Sequence, residues 1–306
     1  VGTAGLPHVI IRFYTVPKAS DARWSAGWAL VFIGLLYTTA PAVAVFSKYN
    51  LLNTLANKPV EEVRQIDWVQ KWEQTGLLKL QDKNGDGILQ MSANPDVNEV
   101  TIDRDIIVLS TPEVAKLSPF IVGLVAAGGL AAALSTAAGL LIVIASAISH
   151  DLYTRLINPG ASEATKLLIA RVVIFLVVVL AAPFGINPPA FIAQLVAFAF
   201  GLAASTFFPA ILLGIFDRRM NMQGAVAGMI VGLVFTASYI IGTKYLGWPN
   251  FILGITAEGI GAIGMLLNFV VAYLVSRATP PPPEEIQHLV DEIRIPKGSA
   301  GSALEH

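Results

Sequence analysis

The sequence predicts an all-α integral membrane protein with about six transmembrane helices and one long polar insert. Hydrophobic residues make up 55% of the 306 residues and charged residues only 13%, whereas a soluble domain carries about 25% charged residues. Six apolar runs are long enough to cross a bilayer, which takes about 20 residues. Lysine and arginine collect at alternate ends of these runs, as a chain with six crossings requires.

The composition also excludes several classes of function. The net charge is −1, so the chain lacks the basic balance typical of nucleic-acid binding. It contains no cysteine, which excludes disulfides and thiolate metal sites. A membrane enzyme with a metal centre needs ligands in or near the bilayer, and every histidine falls outside the predicted spans: His8, His150, His288 and His306. We therefore predict that the protein is not an enzyme.

Residues 1–24 form the first segment. It begins with Val1 rather than methionine, and no signal peptide precedes the first span, so we interpret the chain as the C-terminal portion of a longer protein. Basic residues such as Arg12 then alternate with apolar ones, which is typical of a helix in the cytoplasmic membrane interface. The first predicted span, 25–46, has tryptophan and tyrosine near its ends, as membrane interfaces favour.

Residues 47–118 form a charged insert that we predict to be extracytoplasmic, since long segments cross the membrane regardless of charge. It contains the first half of an EF-hand-type calcium loop, with side-chain oxygens at positions 1, 3 and 5 and a backbone carbonyl at position 7. These positions are Asp82, Asn84, Asp86 and Ile88. Position 12, which should be acidic, is Ala93. The same residues also favour a metal-free turn, so Ca²⁺ binding and a plain turn are both open.

The second predicted span, 119–149, has few bulky side chains at its centre. Residues 126–141 read AAGGLAAALSTAAGLL, and such small residues allow other helices to approach closely. Ser135 and Thr136 place two neighbouring hydroxyls near the middle of the membrane. Their oxygens suit a small hard cation such as Na⁺. Alternatively, both hydroxyls bond to the carbonyl four residues earlier, as is common in membrane helices.

Short connections separate the remaining spans. Basic residues predict a cytoplasmic loop at 150–166 and a cytoplasmic tail at 277–306. The four remaining spans are predicted at 167–185, 190–216, 223–245 and 251–276. The tail opens with four prolines and is too short and polar to form a domain.

Three motifs resemble the sodium/solute symporter family. The first is GLPH at 5–8, followed by RFYTV at 12–16. The second is ASAISHDLY at 145–153. The third, GLAAS at 201–205 with FPAILLG at 208–214, resembles the acetate-permease (cation/acetate symporter) branch. The motifs occur in the order that the family shows, and the resemblance covers most of the chain.

The resemblance implies a leucine-transporter-type fold, an inverted repeat of five plus five helices with extra helices added. This chain would hold the second half of that core, starting at the end of its sixth helix within residues 1–24. The span 119–149 would be core helix eight, which in this family supplies half of a sodium site. By position, its ligands are the carbonyl of Ala132 and the hydroxyls of Ser135 and Thr136. The other half would come from the missing N-terminal half.

Several polar residues are weaker candidates. In the family the fourth span faces the substrate cavity, where the amide of Gln194 could bond a carboxylate; an interfacial glutamine is the alternative. An ion pair among Arg12, Asp151 and Arg155 would act as an inner gate, although the usual enrichment of basic residues on the cytoplasmic side is the simpler explanation for the arginines. Glu258 is the only acid inside a predicted span, and we favour for it either a position that reaches the membrane surface by snorkelling or a role in pairing helices.

These observations lead to one function and one alternative. The resemblance implies sodium-coupled symport of a small solute, such as the short monocarboxylate acetate, by a multi-pass protein of the bacterial inner membrane with a cytoplasmic C-terminus. The expected partners are the carboxylate, the lipid bilayer, the missing N-terminal half and a small companion membrane subunit. The alternative is a transporter-like sensor or regulatory membrane subunit that acts with a separate partner.

Overall fold

A computed structural model describes residues 2–11 and 16–293 of the chain. Six of its helices are long and apolar enough to cross a membrane: Ser20–Leu55, Pro119–Ile157, Glu163–Ile186, Ile192–Phe216, Met222–Tyr245 and Gly261–Ala278. This confirms the predicted class, an all-α integral membrane protein. The chain divides into two compact units, one formed by residues 16–142 and the other by 1–15 with 143–306.

The first unit contains a long helix and the insert. After a short 3₁₀ turn (Thr3–Gly5) and helix α1 (Pro7–Ile10) in the other unit, helix α2 runs from Ala19 to Leu55. It is therefore longer at both ends than the predicted span 25–46, and the first nine residues of the predicted insert, 47–55, belong to α2. Thr38 and Thr39 on α2 donate their hydroxyls to carbonyls three and four residues earlier.

The insert has a hydrophobic core of its own, which its charged composition conceals. Its elements are α3 (Val60–Arg64), α4 (Asp67–Gln74), β1 (Leu78–Leu80), β2 (Val100–Ile102) and α5 (Ile107–Val114). The two strands pair antiparallel. The core consists of Leu51, Leu55, Val60, Val63, Trp68, Val69, Trp72, Leu78, Leu80, Leu89, Val100 and Val114. Burial of so many apolar side chains stabilises the insert as a compact unit.

Helix α6 (Pro119–Ser146) is followed directly by a π-helix (Ala147–Ile157). The predicted span 119–149 therefore ends inside the π-helix. Residues 131–138, at the centre of the small-residue stretch, are all exposed. Helix α7 (Glu163–Ile186) then begins with the Ser162 side chain accepting the Thr165 N–H, a standard N-terminal cap.

The second unit is built on three helices: α8 (Ile192–Phe216), α9 (Met222–Tyr245) and α10 (Gly261–Ala278). Glycines recur every four residues on α9, at positions 224, 228 and 232. A methyl group added to any of them would overlap atoms of the facing helices, mainly at Ser205, Asn268, Ala272 and Ser276. Small residues at this spacing let membrane helices pack backbone to backbone.

One prediction about the end of the chain differs from the structure. The predicted span 251–276 begins too early, because α10 begins at Gly261 and residues 251–260 form turns. Within the predicted tail, residues Glu284–Glu292 form a further helix, α11.

Candidate functional site

Helix α6 places the three residues expected at the sodium site on one face. Ala132, Ser135 and Thr136 have the i, i+3 and i+4 spacing that aligns side chains on a helix. The Thr136 hydroxyl donates to the Ala132 carbonyl at 3.1 Å, as the back-bonding alternative anticipated for this residue. All three residues are exposed. The set of hydroxyl and carbonyl oxygens suits a hard cation, and its assignment to sodium stays a prediction.

The surroundings of this face are open in the described chain. Gly128 lies one turn before Ala132 on this face. Among residues 2–11 and 16–293, a Cβ added to it would meet no heavy atom within 4 Å, apart from those of its chain neighbours and the nearby backbone of α6. Gly129 meets the side chain of Leu109. The close helix packing that the sequence predicts around this stretch is therefore not made by the described residues.

The candidate calcium loop is organised by hydrogen bonds within the protein. The Asp82 carboxylate accepts two glycine N–H groups of the loop, at 2.7 and 2.9 Å. Asp86 accepts the Ile88 N–H at 2.8 Å and the amide groups of Asn84 and Gln90 at 2.8 and 2.7 Å. The Ile88 N–H, followed by the Asn84 amide, lowers the pKa of Asp86. These bonds correspond to the plain-turn alternative.

No metal site supports the calcium prediction in the described residues, where no three His, Asp or Glu side chains are grouped to hold a metal ion. The structure shows instead an organising carboxylate that sequence reasoning missed. Glu99 is 2% exposed and accepts the backbone N–H groups of Lys83 (2.8 Å), Asn84 (3.3 Å) and Gln90 (2.9 Å). It thereby joins the beginning and end of the loop.

Gln194 lies in the first turn of α8 and contacts a charged pair. Its amide donates to the Glu258 carboxylate, which also pairs with Lys244 at 2.9 Å. Glu258 lies between α9 and α10, outside the helices, so its assignment to a span was wrong. The network joins the ends of three elements, as the helix-pairing role for Glu258 predicts. The substrate role of Gln194 stays a prediction, with one amide hydrogen already donated to Glu258.

The gating candidates lie in and near the π-helix. Asp151 pairs with the neighbouring His150 at 3.0 Å and lines a mainly apolar cleft of about 320 Å³. Arg155 is an exposed residue of the last turn. Arg12 lies outside the described residues, so the expected gate stays a prediction.

A buried polar contact in the three-helix unit was missed by sequence reasoning. Asn268 is fully buried, and its amide nitrogen donates to the carbonyls of Ser205 and Thr206, both at 2.8 Å. In a regular helix the Ser205 carbonyl accepts the N–H of residue 209, but that residue is Pro209, which has none. The signal in the sequence was an asparagine inside one apolar span and a proline inside another.

Comparison with known proteins identifies the family. Residues 91–232 match the model of the Sodium:solute symporter family. The chain belongs to this family. The match runs from the second half of the insert to the middle of α9 and includes the exposed face of α6. It contains the second and third sequence motifs and confirms the resemblance that they indicated.

Two curated relatives extend the match to most of the chain. An uncharacterized symporter of Cupriavidus necator is 41% identical over 302 residues, which is 96% of this chain and 43% of the relative. A monocarboxylic acid transporter of Corynebacterium glutamicum is 31% identical over 246 residues, which is 76% of this chain and 35% of the relative. The chain thus spans less than half the length of these relatives. Family and relatives are transporters and not enzymes, as the sequence predicts.

Proposed function

We propose that this chain is part of a sodium-coupled symporter that carries a short monocarboxylate, such as acetate, across the bacterial inner membrane. The observation that carries the proposal is the 31% identity to a monocarboxylic acid transporter, over three quarters of this chain. The family match and the six apolar helices support solute symport more generally. In this arrangement the insert is extracytoplasmic and the C-terminus is cytoplasmic.

The sodium site would use the exposed face of α6. Ala132 supplies a carbonyl oxygen, and Ser135 and Thr136 supply hydroxyl oxygens. Thr136 Oγ1 lies 3.1 Å from the Ala132 oxygen, so these two ligands are already neighbours. In the leucine-transporter-type arrangement, α6 is core helix eight, and another core helix covers its small-residue face and completes the site. Ion binding between two helices then stabilises one state of the transport cycle.

Removal of the two hydroxyls tests the sodium site. In cells that lack their own carboxylate carriers, we expect Ser135→Ala/Thr136→Ala to abolish most of the sodium stimulation of labelled acetate uptake at unchanged protein abundance. The matched control is Thr38→Ala/Thr39→Ala. This second hydroxyl pair lies in a membrane helix and bonds to nearby carbonyls in the same way, so loss of these bonds alone should leave sodium stimulation intact.

Two outcomes would overturn parts of the proposal. Full sodium stimulation in the Ser135/Thr136 variant would exclude these residues as ligands. If a proton gradient drives uptake in the absence of sodium, the coupling ion is H⁺ and not Na⁺. A panel of acetate, propionate, pyruvate, alanine and glucose tests the substrate class, and the proposal requires the monocarboxylates to be preferred.

A further inference from the structure

Helix α11 has one apolar side and one polar side. At 3.6 residues per turn, its aliphatic residues fall within an arc of about 100°, and they are Ile286, Leu289, Val290 and the C-cap Ile293. Acidic and polar residues occupy the opposite side: Glu284, Glu285, Gln287, His288, Asp291 and Glu292. Val290 is buried on the rest of the unit, whereas Ile286, Leu289 and Ile293 are 46%, 52% and 54% exposed. Three large aliphatic side chains therefore form a stripe that the described chain leaves open.

Specific contacts hold this helix beside the ends of the spans. The side-chain amide of Asn221, at the start of α9, donates to the Thr279 hydroxyl and the Pro280 carbonyl, both at 2.7 Å. Arg218, in the turn between α8 and α9, pairs with Asp291 near the end of α11 at 3.0 Å. The tail is thus attached both before α11 and within it.

The connection to the last span is also short. Five residues, 279–283, separate α10 from α11, and four of them are prolines. A proline-rich segment extends by about 3.1 Å per residue, so this one spans about 15 Å at most. The headgroup region of one leaflet is about 5–8 Å thick. Helix α11 is therefore confined to the surface of the membrane that the end of α10 reaches.

We propose that α11 lies in the plane of the membrane interface and places Ile286, Leu289 and Ile293 among the lipids of the adjacent leaflet. An amphipathic helix gains free energy by burying its apolar face at the boundary between headgroups and acyl chains. The acidic side faces water, away from anionic headgroups. The ion pair between Arg218 and Asp291 fixes the rotation of the helix, and Asn221 holds the segment before it. The lipid is the partner that covers the stripe.

Site-directed spin labelling tests this proposal. These 306 residues contain no cysteine, and any cysteine elsewhere in the full protein is replaced by serine before the labelling site is introduced. Single variants Leu289→Cys and His288→Cys carry a nitroxide on adjacent residues of opposite sides. The full protein is reconstituted in vesicles of phosphatidylethanolamine and phosphatidylglycerol, and collision with oxygen and with a water-soluble nickel chelate is measured. Oxygen concentrates in lipid and the chelate in water.

We expect the ratio of oxygen to nickel accessibility to be several-fold higher at residue 289 than at residue 288. Ile286→Cys and Ile293→Cys should behave like Leu289→Cys. High nickel accessibility at 289 would place the stripe in water and overturn the proposal. Low accessibility to both reagents at 286, 289 and 293 would show that protein covers the stripe, and would also overturn it. Elution of the labelled proteins as single monodisperse peaks confirms that they are folded.

Discussion

The amide of Asn268 occupies the position of the backbone donor that Pro209 removes from the Ser205 carbonyl. The side-chain nitrogen lies 2.8 Å from that oxygen and 2.8 Å from the oxygen of Thr206. Ser205 and Asn268 are both fully buried. An unpaired carbonyl at such a position is costly, because no water can replace the missing donor. The proline in α8 and the asparagine in α10 therefore form one structural feature.

We expect Asn268→Leu to destabilise the protein by about 1–3 kcal/mol, the usual range for leaving a buried acceptor unpaired. In a Pro209→Ala background the loss should be smaller, since alanine restores the helical N–H that bonds to the Ser205 carbonyl. Thermal unfolding of the four proteins in detergent provides the double-mutant cycle. Equal losses in both backgrounds would show that Asn268 does not compensate for the proline.

The glycines of α9 provide a second prediction. We expect Gly232→Ala to lower the unfolding temperature strongly, because the added methyl would overlap the Ser205 carbonyl. Gly214→Ala on α8 is the matched control, since no described atom lies within 4 Å of its Cβ position. Both changes raise helix propensity by about 1 kcal/mol, so their difference reports packing. Similar unfolding temperatures for the two variants would contradict the close approach of α8 and α9.

The sequence predicted the six apolar helices because length and hydropathy are local properties. Closely packed helices were harder to predict, because small residues do not identify their partner. The many glycines and alanines from Gly128 to Gly139 predicted close helix packing, yet much of this run is exposed in the described chain. The regular four-residue spacing of Gly224, Gly228 and Gly232 marks the helix that does pack closely. In this chain, the regular spacing of glycines indicated close helix packing better than the total content of glycine and alanine did.

The insert also shows where prediction from local sequence fails. Its loop from Asp82 to Ile88 has the residue types of a calcium site, and those residue types also form metal-free turns. The deciding residue is Glu99, which is remote in sequence from the start of the loop. Its burial depends on the pairing of β1 with β2, which no local pattern specifies.

We therefore expect Glu99→Gln to loosen the loop without any change in metal content. The glutamine NH₂ group would replace an oxygen that accepts backbone N–H groups, and an NH₂ group cannot accept them. Leaving a buried N–H group unpaired in this way costs about 1–3 kcal/mol. Hydrogen exchange of residues 81–91 in the full protein should accelerate. Glu61→Gln, at an exposed position on α3, is the control and should exchange as the wild type does. If added calcium slows the hydrogen exchange of residues 81–91 in the wild type, the loop binds Ca²⁺ and the prediction of a metal-free turn is wrong.

Glu258 should stay ionised throughout the physiological range. A hydrogen bond from Thr256 contributes most to this, and Lys244 and Gln194 add to it, so that the pKa of Glu258 falls from 4.5 to about 2. A carboxyl whose pKa is lowered by folding contributes stability that is fully present above its unfolded pKa and is lost as the pH falls through the folded value. The contribution of Glu258 is therefore constant above about pH 5.

A comparison of wild type with Glu258→Gln measures that contribution. We expect their unfolding temperatures to differ by a constant amount from pH 5 to pH 8 and to converge as the pH falls from about 4.5 towards 2. In that range Glu258 takes up a proton in the unfolded chain before it does so in the folded protein. The exposed Glu284→Gln is the control and should follow the wild-type curve. A gap that changes between pH 5 and pH 8 would mean that Glu258 titrates there. It would then become a candidate proton carrier. A constant gap supports instead the role of Glu258 in holding α8, α9 and the approach to α10 together.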